Sequence, residues 1–365
     1  KQKILKARYL FPTDFSKLPK LSDGAFWLGN IADTRKKSAF DPKDLVTHAL
    51  VAGSTGAGKS VAASIFAEEA LKKKIPVIVF DPTSQWTGFV KPCRDKNLLI
   101  NYPEFGLNSD SPRQFNGLLF NVQNSNINLD LKKYMSPGEI TVFNMARLSS
   151  VEYDIAVQKI IQKIFDQSWE ESPTLKLLVV FDEVHRLLDK YGGGKGGYVA
   201  LEKACREFRK WGIGLIMVSQ VNADFKSAVQ GNILTEVQLN TKNMEDIKKA
   251  ETKYGADYAK RITRQAIGVG MLQNPKYNDG KPWFVSFRPT LHDPHKVSDE
   301  ELAKYDDYAR KLETIEVRMA DLKKRGIDTS DKDIELKLAK DKLKQGRFKM
   351  AEIYVDSLLN WLEKK

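Results

Sequence analysis

Short apolar runs alternate along the chain with segments whose apolar residues recur at helical spacing. Six of these runs have the length and the β-branched content of buried strands: Thr47–Ala52, Ile75–Asp81, Glu139–Met145, Leu177–Glu183, Gly214–Gln220 and Thr235–Asn240. Helical periodicity falls between them, for example in Val151–Trp169 and Tyr198–Trp211. Strands that alternate with helices in this way predict an α/β fold with a mainly parallel sheet covered on both faces.

The pattern changes on both sides of this α/β core. The first residues contain one strand-like piece, Phe26–Ile31, and residues 87–138 form an irregular insertion rich in Asn, Ser, Pro and Gly. After the core the sequence becomes charged and amphipathic, with a helical periodicity that is broken at Gly326 and again at Gln345. We therefore expect three parts: an N-terminal segment (1–45), the α/β core (46–290) and a C-terminal helical appendage (291–365).

The loop after the first strand of the core has a pattern specific for phosphate binding. It reads Gly53-Ser54-Thr55-Gly56-Ala57-Gly58-Lys59-Ser60, which is G-x-x-x-x-G-K-[ST] in the required strand–loop–helix context. Glycines let consecutive N–H groups point at the phosphates, and the helix presents its positive N-terminal end to the same anion. Lys59 would neutralise the β- and γ-phosphates, and the Ser60 hydroxyl would bind Mg²⁺. The sequence therefore predicts a site for a nucleoside triphosphate with its magnesium ion.

Two carboxylates at another strand end predict hydrolysis at this site. Asp182 and Glu183 follow an apolar run, so both emerge at the carboxyl edge of the sheet, level with the phosphate loop. Asp182 would hold Mg²⁺ through its water shell, and Glu183 would polarise the attacking water. A glutamate here is typical of nucleotide hydrolases that carry an added strand between the phosphate-loop strand and the acidic strand.

Three further polar side chains are candidates for contact with the γ-phosphate. Gln220 ends the next strand and could contact the γ-phosphate or the attacking water, although an ordinary strand-end glutamine would look the same. Arg206 and Arg209 lie three residues apart on one predicted helical face. Either could reach a neighbour's nucleotide as an arginine finger, or could belong to a solvated basic face or a DNA contact.

The composition indicates a soluble globular chain with a basic core. Of the 365 residues 42% are hydrophobic and 29% charged, and no apolar stretch approaches the roughly 18 to 20 residues that span a bilayer. The formal net charge is +12, but residues 297–365 contain 16 Lys+Arg and 16 Asp+Glu, so the excess lies in residues 1–296. A basic core suits a polyanion such as DNA, although a lysine-rich proteome would give the same charge.

The cysteines and histidines do not predict a metal site. Cys93 and Cys205 are too far apart for a metal clip or a disulfide framework, which favours a reducing, cytoplasmic setting. His185 is expected to pack or to orient Glu183. The run His292-Asp293-Pro294-His295 is expected to be structural, because it lacks further clustered ligands.

Several groups of residues follow the order and spacing of a known family over roughly residues 25–290. They are Phe26-Trp27-Leu28-Gly29, His48 ahead of Gly53–Ser60, Asp81–Trp86, Phe181–His185, Arg206–Gly212 and Ser219-Gln220. Together they resemble the HerA/FtsK superfamily of DNA-pumping ATPases among the RecA-like P-loop proteins, and most closely archaeal HerA-like and conjugation-type secretion ATPases. The resemblance implies a RecA-like P-loop NTPase fold, a hexameric ring with ATP between subunits, and DNA in a basic central pore.

The resemblance also implies roles for individual residues. Lys59 and Ser60 would bind ATP and Mg²⁺. Asp182 and Glu183 would run hydrolysis, and Gln220 would sense the γ-phosphate. Arg206 or Arg209 is the most plausible trans-acting finger.

Two departures from the family pattern affect these roles. Relatives often read Asp-Pro-His-Gly-Glu after the second strand, whereas this chain has Thr83, Ser84 and Gln85, so the role of a carboxylate there is lost or moved. Relatives also often carry an arginine in the strand after Asn232, and this chain has none in that strand. The finger assignment therefore shifts to Arg206.

The start of the chain suggests a longer natural protein. The N-terminal β-barrel typical of HerA does not fit in about 45 residues, and Lys1 is preceded by neither an initiator methionine nor a signal-peptide pattern. We expect a further N-terminal module, and a location in the cytoplasm or at the cytoplasmic face of a membrane.

Three hypotheses for function follow. The first is an ATP-driven, hexameric DNA translocase for DNA processing or for DNA transfer across a membrane, with a membrane channel or a nuclease as partner. The second is an assembly ATPase of a secretion or pilus system that moves protein and does not contact nucleic acid. The third is a nucleotide-dependent switch with little turnover. Salt-sensitive DNA binding and DNA-stimulated ATP hydrolysis would distinguish the first from the other two.

Overall fold

Eleven strands form one sheet in the computed structural model, which describes Phe11, Phe225 and residues 13–127, 129–222 and 227–365. The expectation about Lys1 lies outside the described residues. The strands are β1 (Phe26–Ile31), β2 (Lys37–Phe40), β3 (Ala49–Ala52), β4 (Val77–Asp81), β5 (Gly117–Asn121), β6 (Ile140–Asn144), β7 (Leu177–Phe181), β8 (Ile213–Ser219), β9 (Thr235–Gln238), β10 (Val269–Gln273) and β11 (Trp283–Phe287).

Except for the single-turn α2 in the insertion, the helices fall where the strand connections and the appendage were expected. They are α1 (Lys59–Lys72), α2 (Lys96–Leu99), α3 (Ser150–Phe165), α4 (Gly196–Glu207), α5 (Ser227–Gln230), α6 (Met244–Tyr254), α7 (Ala256–Ile262), α8 (Asp299–Lys324), α9 (Ser330–Lys344) and α10 (Phe348–Glu363). None of the described helices combines the length and the apolar character needed to cross a bilayer.

The strand order confirms the mainly parallel α/β sheet. It runs β2-β1-β11-β10-β9-β3-β8-β7-β4-β6-β5, and every neighbouring pair from β9 to β5 is parallel. The other four strands extend the sheet beyond β9 by antiparallel pairing. Strand β8 lies between β3, which enters the phosphate loop, and β7, which ends before Asp182. This is the added strand that the glutamate at position 183 predicted.

The central strands are apolar along their whole length because both of their faces are covered. Every residue of β3, β4, β6, β7 and β8 is buried, as expected for strands inside a parallel sheet. Phe80 stacks between Phe143 and Phe181, with ring centroids 5.5 and 5.0 Å away. The packed sheet therefore forms a rigid support for the loops at its carboxyl edge.

The register of the parallel strands decides which polar residues meet at that edge. Ala52 lies opposite Ser219, so the phosphate loop begins beside the residue that follows β8. Phe80 of β4 lies opposite Phe181 of β7. The residues that follow them, Asp81 and Asp182, therefore emerge side by side.

The helix expected over Tyr198–Trp211 is shorter than predicted. Helix α4 ends at Glu207, and Phe208–Trp211 forms a 3₁₀ turn. Gly212 then adopts φ 66°, a left-handed conformation that ends the turn and lets the chain enter β8. Arg206 and Arg209 therefore do not share one regular helical face.

The C-terminal helices cover the β5 edge of the sheet. On α8, the Asp306 carboxylate accepts the Asn121 N–H at 2.9 Å, and the Arg310 guanidinium donates to the Asn121 carbonyl at 3.0 Å. These contacts satisfy backbone groups of an edge strand that would otherwise be open to pairing. At the other end of the chain, β1 and β2 belong to the same sheet as the core. The division at residues 45 and 290 stays a prediction.

Candidate active site

The loop of residues 53–58 has the backbone geometry of a phosphate cradle. A Cβ atom at Gly53 would lie 2.8 Å from the Leu239 Cβ, so this position has no room for a side chain. Gly58 adopts φ 95° directly before α1, a conformation that glycine takes without strain. The loop therefore turns tightly between β3 and α1, and the N-terminal N–H groups of α1 face the space above it.

Hydrogen bonds hold this loop to the segment that follows β9. The Ser54 N–H donates to the Asn240 carbonyl at 2.8 Å, and the Ser54 hydroxyl accepts the Lys242 N–H at 3.1 Å. The Lys59 amino group donates to the Ser54 carbonyl at 3.2 Å and is 7% exposed. Burial lowers the pKa of Lys59, an effect that the carboxylates of Glu183 and Asp182 oppose. Lys59 is thus held beside the acidic strand end, in the position that a phosphate would need.

Two buried carboxylates lie side by side at the ends of β4 and β7. Asp182 Oδ2 accepts the Trp86 indole N–H at 3.1 Å, and Oδ1 accepts the Glu183 N–H at 2.9 Å. Asp81 accepts backbone N–H bonds from Thr83 and Trp86, both at 2.8 Å. Burial, with the charges of Asp81 and Glu183, raises the pKa of Asp182 to about 7. Burial also raises the pKa of Asp81. Two adjacent buried acids create a site that favours positive charge, and Lys59 supplies only one cation near them.

Glu183 is held in an unusual conformation next to Gln220. Its backbone has φ 50° and ψ 41°, the left-handed region that non-glycine residues rarely occupy. Its Oε2 atom accepts the Gln220 side-chain N–H at 3.1 Å, and the His185 Nδ1 atom lies 3.2 Å from the same oxygen. The strained backbone and both neighbours fix the direction of the carboxylate. The contact with His185 agrees with its expected role in orienting Glu183.

The residues present fit a magnesium ion held mainly by nucleotide and water. Within the described ranges no group of three or more His, Cys, Asp or Glu side chains is arranged to hold a metal. Mg²⁺ in nucleotide sites usually takes only one or two protein ligands and keeps several waters. Ser60 and Asp182 are the two residues that could supply such ligands. A cavity of about 60 Å³ lined by Ser60, Gln85 and Trp86 adds room for ordered water.

The two candidate arginines lie at the opposite edge of the sheet from the phosphate loop. The His48 ring, which precedes β3, contacts the Cys205 carbonyl at 2.9 Å, and the Gly212 carbonyl accepts the N–H of Lys176 just before β7. Arg206 and Arg209 therefore lie where the parallel strands begin. Both side chains are exposed, and Arg206 pairs with Glu202 at 3.2 Å. The structure brings Lys59, Asp182, Glu183 and Gln220 together and keeps the arginines apart from them.

Three neighbours of Asp182 were not predicted as site residues. Asp81 lies beside Asp182, Trp86 donates to Asp182, and the Tyr153 hydroxyl donates to the Asp182 carbonyl at 2.7 Å. Asp81 ends a buried strand in the same way as Asp182, and this pattern could have identified it. Trp86 was noted only as part of the run Asp81–Trp86 that carries the family resemblance, and Tyr153 gave no signal, because an aromatic residue in an amphipathic helix looks like core.

A buried charged network behind the phosphate loop was also missed. Arg288 is fully buried and pairs with Glu68 at 2.6 Å and with Glu69 at 2.8 Å, both on α1. The His292 Nδ1 atom lies 2.6 Å from Glu68, and the His292 ring stacks on Phe89. His292 therefore has the structural role that was expected of it. The network joins α1 to the segment after β11.

A phosphate loop and an acidic strand end, separated by one added strand, form the arrangement of the RecA-like P-loop ATPases, and the described residues have this arrangement. Residues 26–111 match the family described as the central domain of the helicase HerA. The match includes the phosphate loop and Asp81–Trp86, and it agrees with the resemblance seen in the sequence. A comparison with curated proteins found no match.

Several solved structures resemble the chain at low identity. VirB4 of Thermoanaerobacter pseudethanolicus is 13% identical, with a TM-score of 0.48 over 74% of this chain and 98% of its own. The conjugation coupling protein TcpA of pCW3, in its monomer form with ATPγS, is 16% identical, with a TM-score of 0.43 over 80% and 72%. The genome packaging NTPase B204 of Sulfolobus turreted icosahedral virus 2, with AMPPCP, is 14% identical, with a TM-score of 0.42 over 67% and 99%. The similarity of this chain to the HerA family therefore rests on the match over residues 26–111.

Proposed function

We propose that the chain is the motor domain of an ATP-driven DNA translocase that works as a ring, the hexamer implied by its family resemblance. The observation that carries this proposal is the separation of the site into two halves. Lys59, Glu183 and Gln220 lie at one edge of the sheet, and the exposed arginines lie at the other. Each half is incomplete alone and would be completed by a neighbouring copy of the chain.

In this proposal residues 53–60 bind the phosphates of ATP, and Ser60 with Asp182 holds Mg²⁺. The ion would supply charge neutralisation between the β- and γ-phosphates. Glu183 orients and polarises the attacking water through its carboxylate. Gln220, bonded to Glu183 at 3.1 Å, exchanges this contact for one with the γ-phosphate or the water when nucleotide binds. The glutamine would thereby report the state of the nucleotide to the end of β8.

The proposed arginine finger acts in trans. Arg206 and Arg209 are too far from the phosphate loop of their own chain, because the length of the central strands separates them. Their exposure leaves them available to a neighbouring copy. A guanidinium at the γ-phosphate stabilises the charge of the transition state. We favour Arg206, which stands on a regular helix.

The proposed substrate of the motor is DNA. The support is the charge distribution, since the net charge of +12 lies entirely in residues 1–296, which contain the ATP site. A basic surface of this kind gives phosphate-dominated binding that weakens steeply with salt. A membrane channel or a nuclease would be a further partner.

ATP hydrolysis by the 365-residue chain, measured with and without double-stranded DNA at low salt, tests the proposal. We expect DNA to raise the rate and added salt to remove the effect. Glu183→Gln should lower turnover by about 10²–10⁴-fold and leave ATP binding intact, because it removes the base and keeps the shape of the side chain. Glu300→Gln, an exposed position on α8, is the matched control and should retain full activity.

Two outcomes would contradict the proposal. ATP hydrolysis that is not stimulated by DNA, by a chain that does not bind DNA, would favour a secretion or pilus ATPase. Hydrolysis that survives Glu183→Gln would show that another group activates the water.

A further inference from the structure

The segment that enters β10 places an exposed apolar side chain beside the phosphate loop. Ile267 is 79% exposed, the highest value for a large apolar residue in the described part of the chain. Its Cγ2 atom lies 3.9 Å from the position that a Cβ atom on Gly58 would occupy. The next residue, Gly268, donates its N–H to the Ala57 carbonyl at 3.3 Å. Ile267 therefore lies at the end of the phosphate loop that adjoins α1.

Hydrogen bonds on both sides fix the position of this segment. The Asn240 side chain donates to the Gln265 carbonyl at 2.9 Å, and the Gln265 side chain donates to the Gln238 carbonyl at 3.1 Å. On the other side, the Gly268 carbonyl accepts the Phe287 N–H at 2.9 Å. An isoleucine held in water by a rigid backbone is prepared to bind an apolar surface, because little conformational entropy is lost on contact.

The place of Ile267 relative to the phosphates indicates what it contacts. A phosphate loop holds only the phosphates, so the sugar and the base of a bound nucleotide would lie outside residues 53–60. The cavity of about 60 Å³ beside Ser60 is far smaller than the roughly 300–1,000 Å³ of ligand pockets, so it cannot take a base. On the side of Gly58, the backbone of Gly268 packs against the loop, and the exposed Ile267 side chain stands next to it.

We propose that Ile267 is an apolar platform for the base of the bound nucleoside triphosphate. The inference rests on the proposed nucleotide site and adds a second contact region to it. Apolar side chains line most small-molecule sites and bind the flat faces of ligands. Ile267 thus contributes to affinity for the nucleoside part, whereas Lys59 and the loop contribute to affinity for the phosphates.

Comparison of ATP with inorganic tripolyphosphate, both with Mg²⁺, separates the two contributions. Ile267→Ala should weaken ATP binding by about five- to tenfold, as expected for losing part of the contact area of an isoleucine. The same variant should bind tripolyphosphate with unchanged affinity, and KM for ATP should rise without a change in kcat. Ile353→Ala, at a 67% exposed position on α10, is the matched control and should bind both ligands normally.

Lys59→Ala distinguishes failure of the platform from failure of the nucleotide site. This variant should weaken the binding of both ligands, because both carry the phosphates. If Lys59→Ala has no effect on either ligand, the nucleotide site itself is wrong. Suppose that Lys59→Ala acts as expected. If Ile267→Ala then weakens the binding of both ligands equally, or changes the binding of neither, the proposed role of Ile267 is wrong.

Discussion

His48 occupies a buried position at the amino end of β3, in a conformation that few side chains adopt, with φ 63° and ψ 161°. Its Nδ1 atom accepts the Leu215 N–H at 3.1 Å, and its Nε2 atom donates to the Cys205 carbonyl at 2.9 Å. Both bonds require a neutral ring with its proton on Nε2. Burial lowers the pKa of His48 from 6.5 to about 4. The ring thus ties β3 to β8 and to the end of α4 in its neutral form.

The lowered pKa of His48 predicts a loss of stability in mild acid. Between about pH 6.5 and 4 the unfolded chain binds a proton that the folded chain does not, so the free energy of unfolding falls as pH decreases through this window. The loss should total about 3 kcal/mol and should be absent above pH 6.5. Urea unfolding at pH 7.5 and 4.5 measures it.

His48→Asn provides the comparison, because asparagine keeps a donor and an acceptor, tolerates positive φ and does not titrate. The difference in stability between the two pH values should shrink by roughly the same 3 kcal/mol in the variant. An equal pH dependence in both proteins would show that His48 is not the responsible group.

At the scale of elements, the position of α1 depends on the buried charged network as well as on the phosphate loop. Arg288, directly after β11, pairs with Glu68 and Glu69 on α1. Glu69 also accepts the Trp27 N–H of β1 at 3.0 Å, and Glu68 accepts the Leu291 and His292 N–H groups. The antiparallel strands β1 and β11 are therefore bound to the helix that follows the phosphate loop.

Removing the arginine from this buried charged network should destabilise the fold strongly. Arg288→Ala leaves Glu68 buried without its cation, which typically costs about 3–5 kcal/mol. Denaturant unfolding measures the change. Arg325→Ala, whose exposed side chain lies 3.9 Å from Asp321, should alter stability by no more than about 0.5 kcal/mol.

A double variant separates the charge from the packing. Glu68→Gln in the Arg288→Ala background removes the unpaired charge, so part of the lost stability should return. No recovery would mean that the guanidinium matters through its shape and hydrogen bonds alone.

At the scale of the whole molecule, the sheet separates the phosphate loop from the candidate fingers. Strand β8 runs from the turn that carries Arg209 to the residue before Gln220, seven residues in all. At about 3.3 Å per residue this distance exceeds the reach of an arginine side chain. An arginine at this position could therefore act as a finger only toward another copy of the chain, as the proposed ring requires.

Mixing two inactive variants tests the trans arrangement. Lys59→Ala chains and Arg206→Ala/Arg209→Ala chains should each lose most ATP hydrolysis, the arginine pair by about 10³-fold or more. In mixed rings a chain with an intact phosphate loop can receive an arginine from a Lys59→Ala neighbour, so activity should partly recover. A steady-state phosphate-release assay of the mixture measures it.

Lys210→Ala is the matched control for this experiment, because Lys210 lies in the same turn and makes an exposed pair with Glu207. It should keep wild-type activity. A mixture that stays inactive, although its subunits assemble, would argue against both arginines as fingers.

The sequence alone was enough to predict the fold class and the candidate site residues at the phosphate-loop edge of the sheet. Apolar runs of strand length, ended by Gly53, Asp182 and Gln220, led to a parallel sheet with its functional residues at one edge, because parallel strands all end on the same side. The phosphate-loop pattern is local, since its contacts with phosphate use the backbone of consecutive residues. Local information of this kind can be read from the order of residues.

Only the tertiary structure decided the contacts made between distant segments. Asp81 is 101 residues before Asp182 and reaches it through the register of β4 and β7. Arg288 meets α1 across 220 residues, and Ile267 approaches Gly58 from the entry to β10. The early end of α4, which separates Arg209 from the helix of Arg206, depends on the turn at Gly212. Such contacts depend on strand order, register and packing, and these are set by the whole chain and not by any one segment.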